Sequence, residues 1–498
     1  MIILPLEKIC LFRAGWNWKC NDTVFSLTVQ ATPTYNMNMV EKIRNGLIGL
    51  ILFLAISVPF VLSGYSEIDK AEHAPSHMEA AEHYRAAALR LPWRPDLYEL
   101  AGHYYYYAEE YVQANDLYQK AFTRNALSPD GWVAWGDVNY LNGDPGRAAD
   151  LWKQGLEQPN ASEKLYSRLA KIYQENKDYS KAAEYLQLYV NDHSDDASAR
   201  YRLGLLLTLS KPDVALPHLI DASQLDPQFD PAVQTLRTAL NLSTLSDTPS
   251  EQFVVIGRGL GLINEWELAY AAFEKAVTLD EKNAEAWAWL GEADQQTRGN
   301  EALKFLDRAH DLNPSSSVVR GLRGLYFQRI GNHRQGLAEF QAAAKLDPEN
   351  PTWYISIGEE FAMTGDLIRA LEAYQYPTVL EPDNAEYWRL LAGFCAQNNA
   401  NVRDVGIPAA RKAASLAPDD PLPLDVLGWL LILDGRYNEA ETKLMDAIAI
   451  DPQLASVHFH LALLYMQKDD RVSTFDQLVQ ARDLGSVEAE NLLKQEFP

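Results

Sequence analysis

Pro314, Pro348 and Pro382 lie 34 residues apart, and Pro418 and Pro452 repeat the interval. Laying the stretch from Ser315 to Glu381 over itself at that offset puts Gly324 on Gly358, Phe327 on Phe361, Gly331 on Gly365 and Phe340 on Tyr374. A fixed period of this length is the mark of a stacked array, in which one supersecondary unit is copied and each copy buries its apolar face against the next.

One unit can be read from Leu424 to Pro452. Leu424, Leu427, Gly428 and Leu431 recur at spacings of 3, 4 and 7, which makes one apolar helix face. Asp434-Gly435-Arg436 interrupts it, as glycine does past a helix end. A second stripe follows at Ala440, Leu444 and Ala447, and Asp451-Pro452 closes the unit, because a residue before proline avoids the helical region. The unit is helix, tight turn, helix, stop. Gly428 and Ala440 are small, which predicts that the two helix backbones approach closely there.

The same pattern recurs along most of the chain. Trp132, Trp135 and Gly136 pair with Ala148 and Trp152; Tyr166, Leu169, Ala170 and Tyr173 with Ala182 and Leu186; Leu203, Gly204 and Leu207 with Ala215, Leu219, Ala222 and Pro227. Further on, Ile256, Gly257 and Leu260 pair with Ala269, Phe273 and Ala276, and Trp287, Leu290 and Gly291 with Ala302, Leu306, Ala309 and Pro314. Trp388, Leu391 and Ala392 then pair with Ala413 and Pro418, and Leu461, Ala462 and Tyr465 with Leu478 and Ala481. Together these copies resemble the tetratricopeptide repeat (TPR), W-x2-L-G-x2-Y followed by A-x3-F-x2-A and P, over residues 78–485. The resemblance implies an all-α solenoid, a right-handed superhelix of helix-turn-helix repeats. It also implies binding on a concave face lined by the first helices. The aromatic residues at repeat positions, Trp287 among them, are expected in the core.

Charge narrows the class of partner. The 498 residues carry 44 Lys and Arg against 68 Asp and Glu, a net charge of −24. Such a field disfavours nucleic acid, and a protein or peptide partner, a basic one included, suits it better. Cys10, Cys20 and Cys395 cannot build a disulfide framework.

The front of the chain is different. Residues 1–45 read as an N-terminal cytoplasmic segment, of which 1–36 are either an upstream over-extension before Met37 and Met39 or a short tail. Residues 46–64, GLIGLILFLAISVPFVLSG, hold no charge. At about 1.5 Å per residue, such a helix just crosses a hydrocarbon core of about 30 Å. Pro59 is tolerable in a bilayer helix. Lys42 and Arg44 precede the run and only Lys70 follows closely, which puts the N-terminus in the cytoplasm and the repeats outside. The run exceeds a signal-peptide core and lacks the alanines preferred at a cleavage site, so an uncleaved anchor in the lipid bilayer is expected. The alternative is a secreted soluble protein, should the run be cleaved.

Residues 65–77 read as a polar linker, and the first repeat shows only a second helix, at Ala80, Tyr84, Ala87 and Pro92. An N-terminal array, 78–242, ends in an unpaired helical stripe; residues 243–250 read as a loop that bends the array; and a C-terminal array covers 251–485. Pro377 and an insertion at Asn399–Asp404 are lesser irregularities, and residues 486–498 read as a capping helix.

Candidate contact residues follow by offset from the small residue of each first helix. At the C-terminal end they are Leu422, Trp429, Ile432, Phe459, Leu463 and Met466, an apolar cluster of the kind that marks a binding face unless the capping helix folds over it. Near the front they are His103, Tyr106, Asp137, Tyr140 and Lys171, a polar and aromatic set suited to a peptide or glycan. TPR cochaperones grip a terminal carboxylate with Lys and Asn four residues apart on this face. Glu99/His103, Val133/Asp137, Ser167/Lys171, Arg389/Gly393 and Asp425/Trp429 do not match that pair.

Catalytic, metal and cofactor motifs are not found. Gly257-Arg258-Gly259-Leu260-Gly261 looks like a dinucleotide loop but follows no strand, and Gly257 already serves as a repeat packing position. His458 and His460 sit two apart on a helix and so face different ways. The sequence therefore points to a non-enzymatic, membrane-anchored scaffold for protein–protein interaction, assembling complexes at the extracytoplasmic face. The alternative is an accessory subunit that recruits substrate to envelope polysaccharide or protein-modifying machinery.

Overall fold

The computed structural model describes residues 37–497. The expectations for residues 1–36, including Cys10 and Cys20, lie outside the described residues. Among the described residues there are twenty-six α-helices, one 3-10 turn, one π turn and no strand. The chain divides into two compact units, residues 1–144 and 145–498.

The described part of the first unit begins with one long helix, Met37–Glu72. Its apolar stretch is exposed over residues 41–56, and nearly so to residue 63. From Gly64 onward the same helix joins the repeat array. A Cβ on Gly64 would lie 2.6 Å from Leu91 Cγ, and Glu67 and Ala71 are buried. Buried Glu67 is held by Arg90 at 2.8 Å, His83 Nδ1 at 2.6 Å and Lys70 at 3.0 Å. The segment expected as a linker is therefore helical as far as Glu72. The first repeat has both its helices, the second being His77–Arg90, which starts where the Ser76 side chain accepts the Glu79 N–H.

Helices Asp96–Tyr107, Tyr111–Phe122 and Pro129–Leu141 complete this unit. Tyr105, Tyr118, Trp132 and Trp135 fill its core. The Trp135 indole donates to Asn115 Oδ1 at 2.7 Å, which satisfies its polar atom.

In the second unit the helix-turn-helix pattern recurs with a constant packing rule. A Cβ on Gly324 would stand 2.5 Å from Phe340 Cε1, and one on Gly428 would stand 2.5 Å from Leu444 Cδ2. The glycine is thus small to admit the large side chain of its own second helix, where the sequence had suggested close backbones. The turn glycines Gly331, Gly365 and Gly435 have φ of 75°, 82° and 75°, a conformation that L-residues seldom take.

Residues 243–250 do not break the core. Helix Asp230–Ser243 packs on helix Pro249–Leu262, with Ala239 against Gly259. One apolar cluster runs from Ala170 through Leu236, Leu240 and Phe253 to Phe305. Between these two helices, Thr248 and Glu251 form a reciprocal cap that starts the second one. Pro377 stays inside helix Leu367–Leu380, where it is buried. The insertion at 399–404 is absorbed by a π turn, Val402–Gly406, entered through left-handed Asn399 and Asn401. Helix Val487–Glu496 closes the end, with Ala489 and Leu493 against Ala462, Leu478 and Ala481.

Candidate functional site

The C-terminal candidates stand on helices Pro421–Leu433 and Ala455–Gln467. Asp420 Oδ1 accepts the Leu422 N–H at 2.9 Å and Pro421 opens the first turn, so the helix begins with Leu422 at its mouth, 37% exposed. Trp429 is half-buried, and its ring lies on the His460 imidazole with centroids 4.7 Å apart. His460 Nδ1 is 2.6 Å from Oδ1 of buried Asp425. A buried carboxylate thus fixes an imidazole, and the imidazole supports an indole. Phe459 lies 5.9 Å from the same imidazole.

Ile432 does not belong to this shelf. It is 8% exposed and sits in the cluster of Leu430, Leu431, Val457 and Leu461, because its helix is apolar on nearly every side and neighbours cover both flanks. Leu463 and Met466 are half-buried. Phe459 packs against the cluster that contains capping residues Ala489 and Leu493, and Met466 shares a cavity of about 240 Å³ with Arg471 and Phe497. The C-terminal end therefore closes on part of the set, and Leu422 and Trp429 are not among the residues it covers.

The front candidates separate. Lys171 belongs to the second unit; His103, Tyr106, Asp137 and Tyr140 belong to the first. His103 has both ring nitrogens engaged: Nε2 faces Glu99 Oε1 at 3.3 Å and Nδ1 faces the Tyr118 hydroxyl at 2.8 Å. Buried Glu99 also accepts the Ser128 N–H at 2.6 Å and the Ser128 hydroxyl, so it holds in place the residue that caps the next helix through the Gly131 N–H. Burial opposes its charge, but the hydrogen bonds from His103 and Ser128 prevail and hold its pKa below the usual carboxylate value. Tyr106 packs with the rings of Tyr107 and Tyr111, and Tyr140 and Asp137 are half-buried.

The structure adds groups that the offsets at the two ends passed over. Arg258 occupies the place in its repeat that Trp429 occupies in its own, one residue past the small glycine. It is exposed, with its guanidinium 5.2 Å from the Trp289 ring centroid. Beside it, Leu242, Val255 and Leu262 line a cavity of about 560 Å³. Acids on first helices reach bases of a neighbouring repeat: Glu292 pairs with Arg329 on the next first helix at 2.7 Å, and Glu360 with His333 on the preceding second helix at 2.9 Å. The signal for the Glu292–Arg329 pair was an acid and a base about one period apart, as with Asp425 and His460.

In two groups desolvation sets the direction of the pKa shift. Glu360 is fully buried, and burial pushes its carboxyl above the ordinary value despite the His333 hydrogen bond. Lys275 donates to the Leu209 carbonyl at 2.8 Å, and partial desolvation pulls its amine down. Gly257, Gly259 and Gly261 face Phe273, Ala239 and Trp266, so all three glycines of the Gly-rich run serve packing. His458 binds Gln477 Oε1 at 2.8 Å while His460 turns to Asp425. Among the described residues, no group of three His, Cys, Asp or Glu side chains is placed to hold a metal ion. What these surfaces offer is contact: apolar, aromatic and paired-charge side chains on first-helix faces.

A family model described as tetratricopeptide repeat matches residues 322–378. Superkiller complex protein 3 of Mus musculus is 23% identical over 224 residues, which covers 43% of this chain and 13% of that protein. The Hsp70-Hsp90 organizing protein of Triticum aestivum is 25% identical over 291 residues, covering 57% of this chain and 47% of the relative. The chain thus spans less than half the length of these relatives. Among solved structures, the Cut9–Hcn1 hetero-tetramer of the APC/C is similar with a TM-score of 0.43 and 14% identity, covering 90% of this chain and 98% of that one.

Proposed function

Because this chain belongs to the tetratricopeptide-repeat family, an all-α solenoid that serves protein–protein interaction, we propose that it is a membrane-tethered scaffold without catalytic activity of its own. It binds a protein or peptide partner on first-helix faces and assembles complexes at the extracytoplasmic side. The observation that carries this reading is the helix Met37–Glu72. Its apolar stretch is long enough to cross a membrane and unburied, and its far end is the first helix of the array. A tether continuous with a binding surface supports a protein that holds a partner near a bilayer. The bias of Lys42 and Arg44 over Lys70 favours repeats outside the cytoplasm.

For the partner we favour the shelf at Leu422 and Trp429, backed by His460 and Asp425. Asp425 stands where a carboxylate clamp would need a cation, so a partner's terminal carboxylate is disfavoured there and an apolar side chain suits the indole. The wheat relative's name places it with Hsp70 and Hsp90. We propose protein binding in common with it, and leave its partners to it.

A photo-crosslinking amino acid placed at Leu422, in intact cells, tests the reading. The expected result is a discrete crosslinked partner that is lost with Trp429→Ala and is not seen when the crosslinker replaces exposed Met445 on the second helix. Equal crosslinking from both positions would remove the shelf from the account. A reporter active only outside the cytoplasm, fused after Pro498, should be active; silence would reverse the topology.

A further inference from the structure

The second helix of the first repeat brings an exposed aromatic turn back to the level where the apolar helix ends. Residues 46–64 span about 28 Å at 1.5 Å per residue, so Gly64 marks the edge of a hydrocarbon core of about 30 Å. Helix His77–Arg90 runs against this helix, and its C-terminal end meets Gly64: a Cβ there would lie 2.6 Å from Leu91 Cγ and 3.1 Å from Arg90 Cβ. Immediately after, the Arg94 N–H donates to the Leu91 carbonyl at 2.9 Å, closing a turn with Pro92 and Trp93 at its centre. Trp93 is 53% exposed and Leu89 67% exposed, and Tyr65 on the long helix is exposed as well.

We propose that this turn, Leu91–Arg94 with Leu89 beside it, rests in the headgroup layer of the same bilayer that the apolar helix crosses. The inference rests on the reading of residues 46–64 as a membrane span. An indole and a phenol at one depth are the side chains found at membrane–water interfaces, where the ring is dehydrated and the polar atom stays wet. The neighbouring charges do not oppose this. Arg90 is paired with Glu67 at 2.8 Å, and Arg94 holds Asp96 through two nitrogens, at 2.9 and 2.7 Å. The partner is thus a lipid surface recognised by apolar and aromatic contact, with no dependence on anionic headgroups. The first repeat is then fixed to the membrane at two points, the span and the turn, which restrains rotation of the repeat about the helix axis.

The test uses the full chain with Cys10→Ser, Cys20→Ser and Cys395→Ala, reconstituted in phosphatidylcholine vesicles. An environment-sensitive fluorophore is attached to one introduced cysteine at a time: Ile51→Cys, Leu89→Cys, Trp93→Cys or Met78→Cys. Met78 begins the same helix, about 18 Å from its end. Labels at 51, 89 and 93 should be quenched by nitroxide lipids, with 89 and 93 answering best to the shallow nitroxide. The label at 78 should answer only to aqueous iodide. Including anionic lipid should change none of these. Lipid quenching at 51 with only iodide quenching at both 89 and 93 would overturn the turn's role and leave the span intact. Iodide quenching at 51 would overturn the span and the inference with it. The Leu89 label keeps Trp93 in place, so the result does not hinge on removing the indole.

Discussion

Asp425 and His460, 35 residues apart, are joined by a hydrogen bond of 2.6 Å, and both are buried. The bond links the first helices of adjacent repeats directly beneath Trp429. Removing one partner strands the other in a site that water does not reach, which costs about 1–3 kcal/mol. Asp425→Ala should therefore speed amide hydrogen exchange in helix Ala455–Gln467 and in its own helix. The double variant Asp425→Ala/His460→Leu should recover part of the loss. Because solenoid repeats are coupled mainly to their neighbours, protection in helices Ala284–Thr297 and Ala302–Leu312 should be unaffected.

Glycines in this chain have opposite tolerances to the same change. Gly324 has Phe340 2.5 Å from where a Cβ would stand, while Gly393, inside helix Ala385–Gln397, has nothing within 4 Å. Gly324→Ala should destabilise its repeat by about 1–3 kcal/mol through overpacking. Gly393→Ala should stabilise by about 0.5–1 kcal/mol, since alanine loses less backbone freedom on folding. Local hydrogen exchange in detergent-solubilised protein would show protection falling in the first variant and rising in the second.

The 34-residue period was enough to read the helix pairs, because each copy needs a small residue opposite a large one and a stop after the second helix. It failed where a copy meets that need with other chemistry. In the first repeat, Gly64, Glu67 and Ala71 take the inward positions, and a carboxylate stands where most later copies place leucine or isoleucine, such as Leu169, Leu203, Ile256 and Leu290. Only the convergence of Arg90, His83 and Lys70 makes it tolerable, and those partners come from the folded pair. The loop at 243–250 was legible as a loop, but not that Gly259 would let Ala239 in and carry the core across. At the shelf, the offset rule picked Leu422, which the fold leaves exposed, and Trp429, which it leaves half-buried. It misjudged Ile432, because a helix apolar all round does not say which flank its neighbours will cover.

Tryptophans at repeat positions are not equivalent either. Trp152 is 2% exposed, whereas Trp287 is half-buried with its indole donating to the Glu281 carbonyl at 2.9 Å. The sequence treats both as core; the structure makes Trp152 the deeper of the two. Trp152→Ala should cost about 3–5 kcal/mol and Trp287→Ala distinctly less. Urea titrations followed by circular dichroism should show the first variant losing an early phase of helix, and the second shifting only slightly.

Stability near helix Pro351–Met363 should depend on pH through Glu360. Its folded pKa is raised by burial, so the folded chain binds this proton more tightly than the unfolded chain does. The resulting stabilisation is fully present below the ordinary glutamate pKa and is lost as pH rises through the raised folded value. At neutral pH the carboxylate is buried with His333 as its one strong partner, at 2.9 Å, and one oxygen unsatisfied. Glu360→Gln keeps the shape and removes the charge. It should therefore raise protection in helices Pro351–Met363 and His333–Leu346 at pH 7 or above, and leave it little changed near pH 4. The pH dependence of exchange, corrected for the intrinsic rate, should flatten in the variant. A loss of protection at neutral pH instead would mean that the pairing with His333 outweighs the cost of burying the charge.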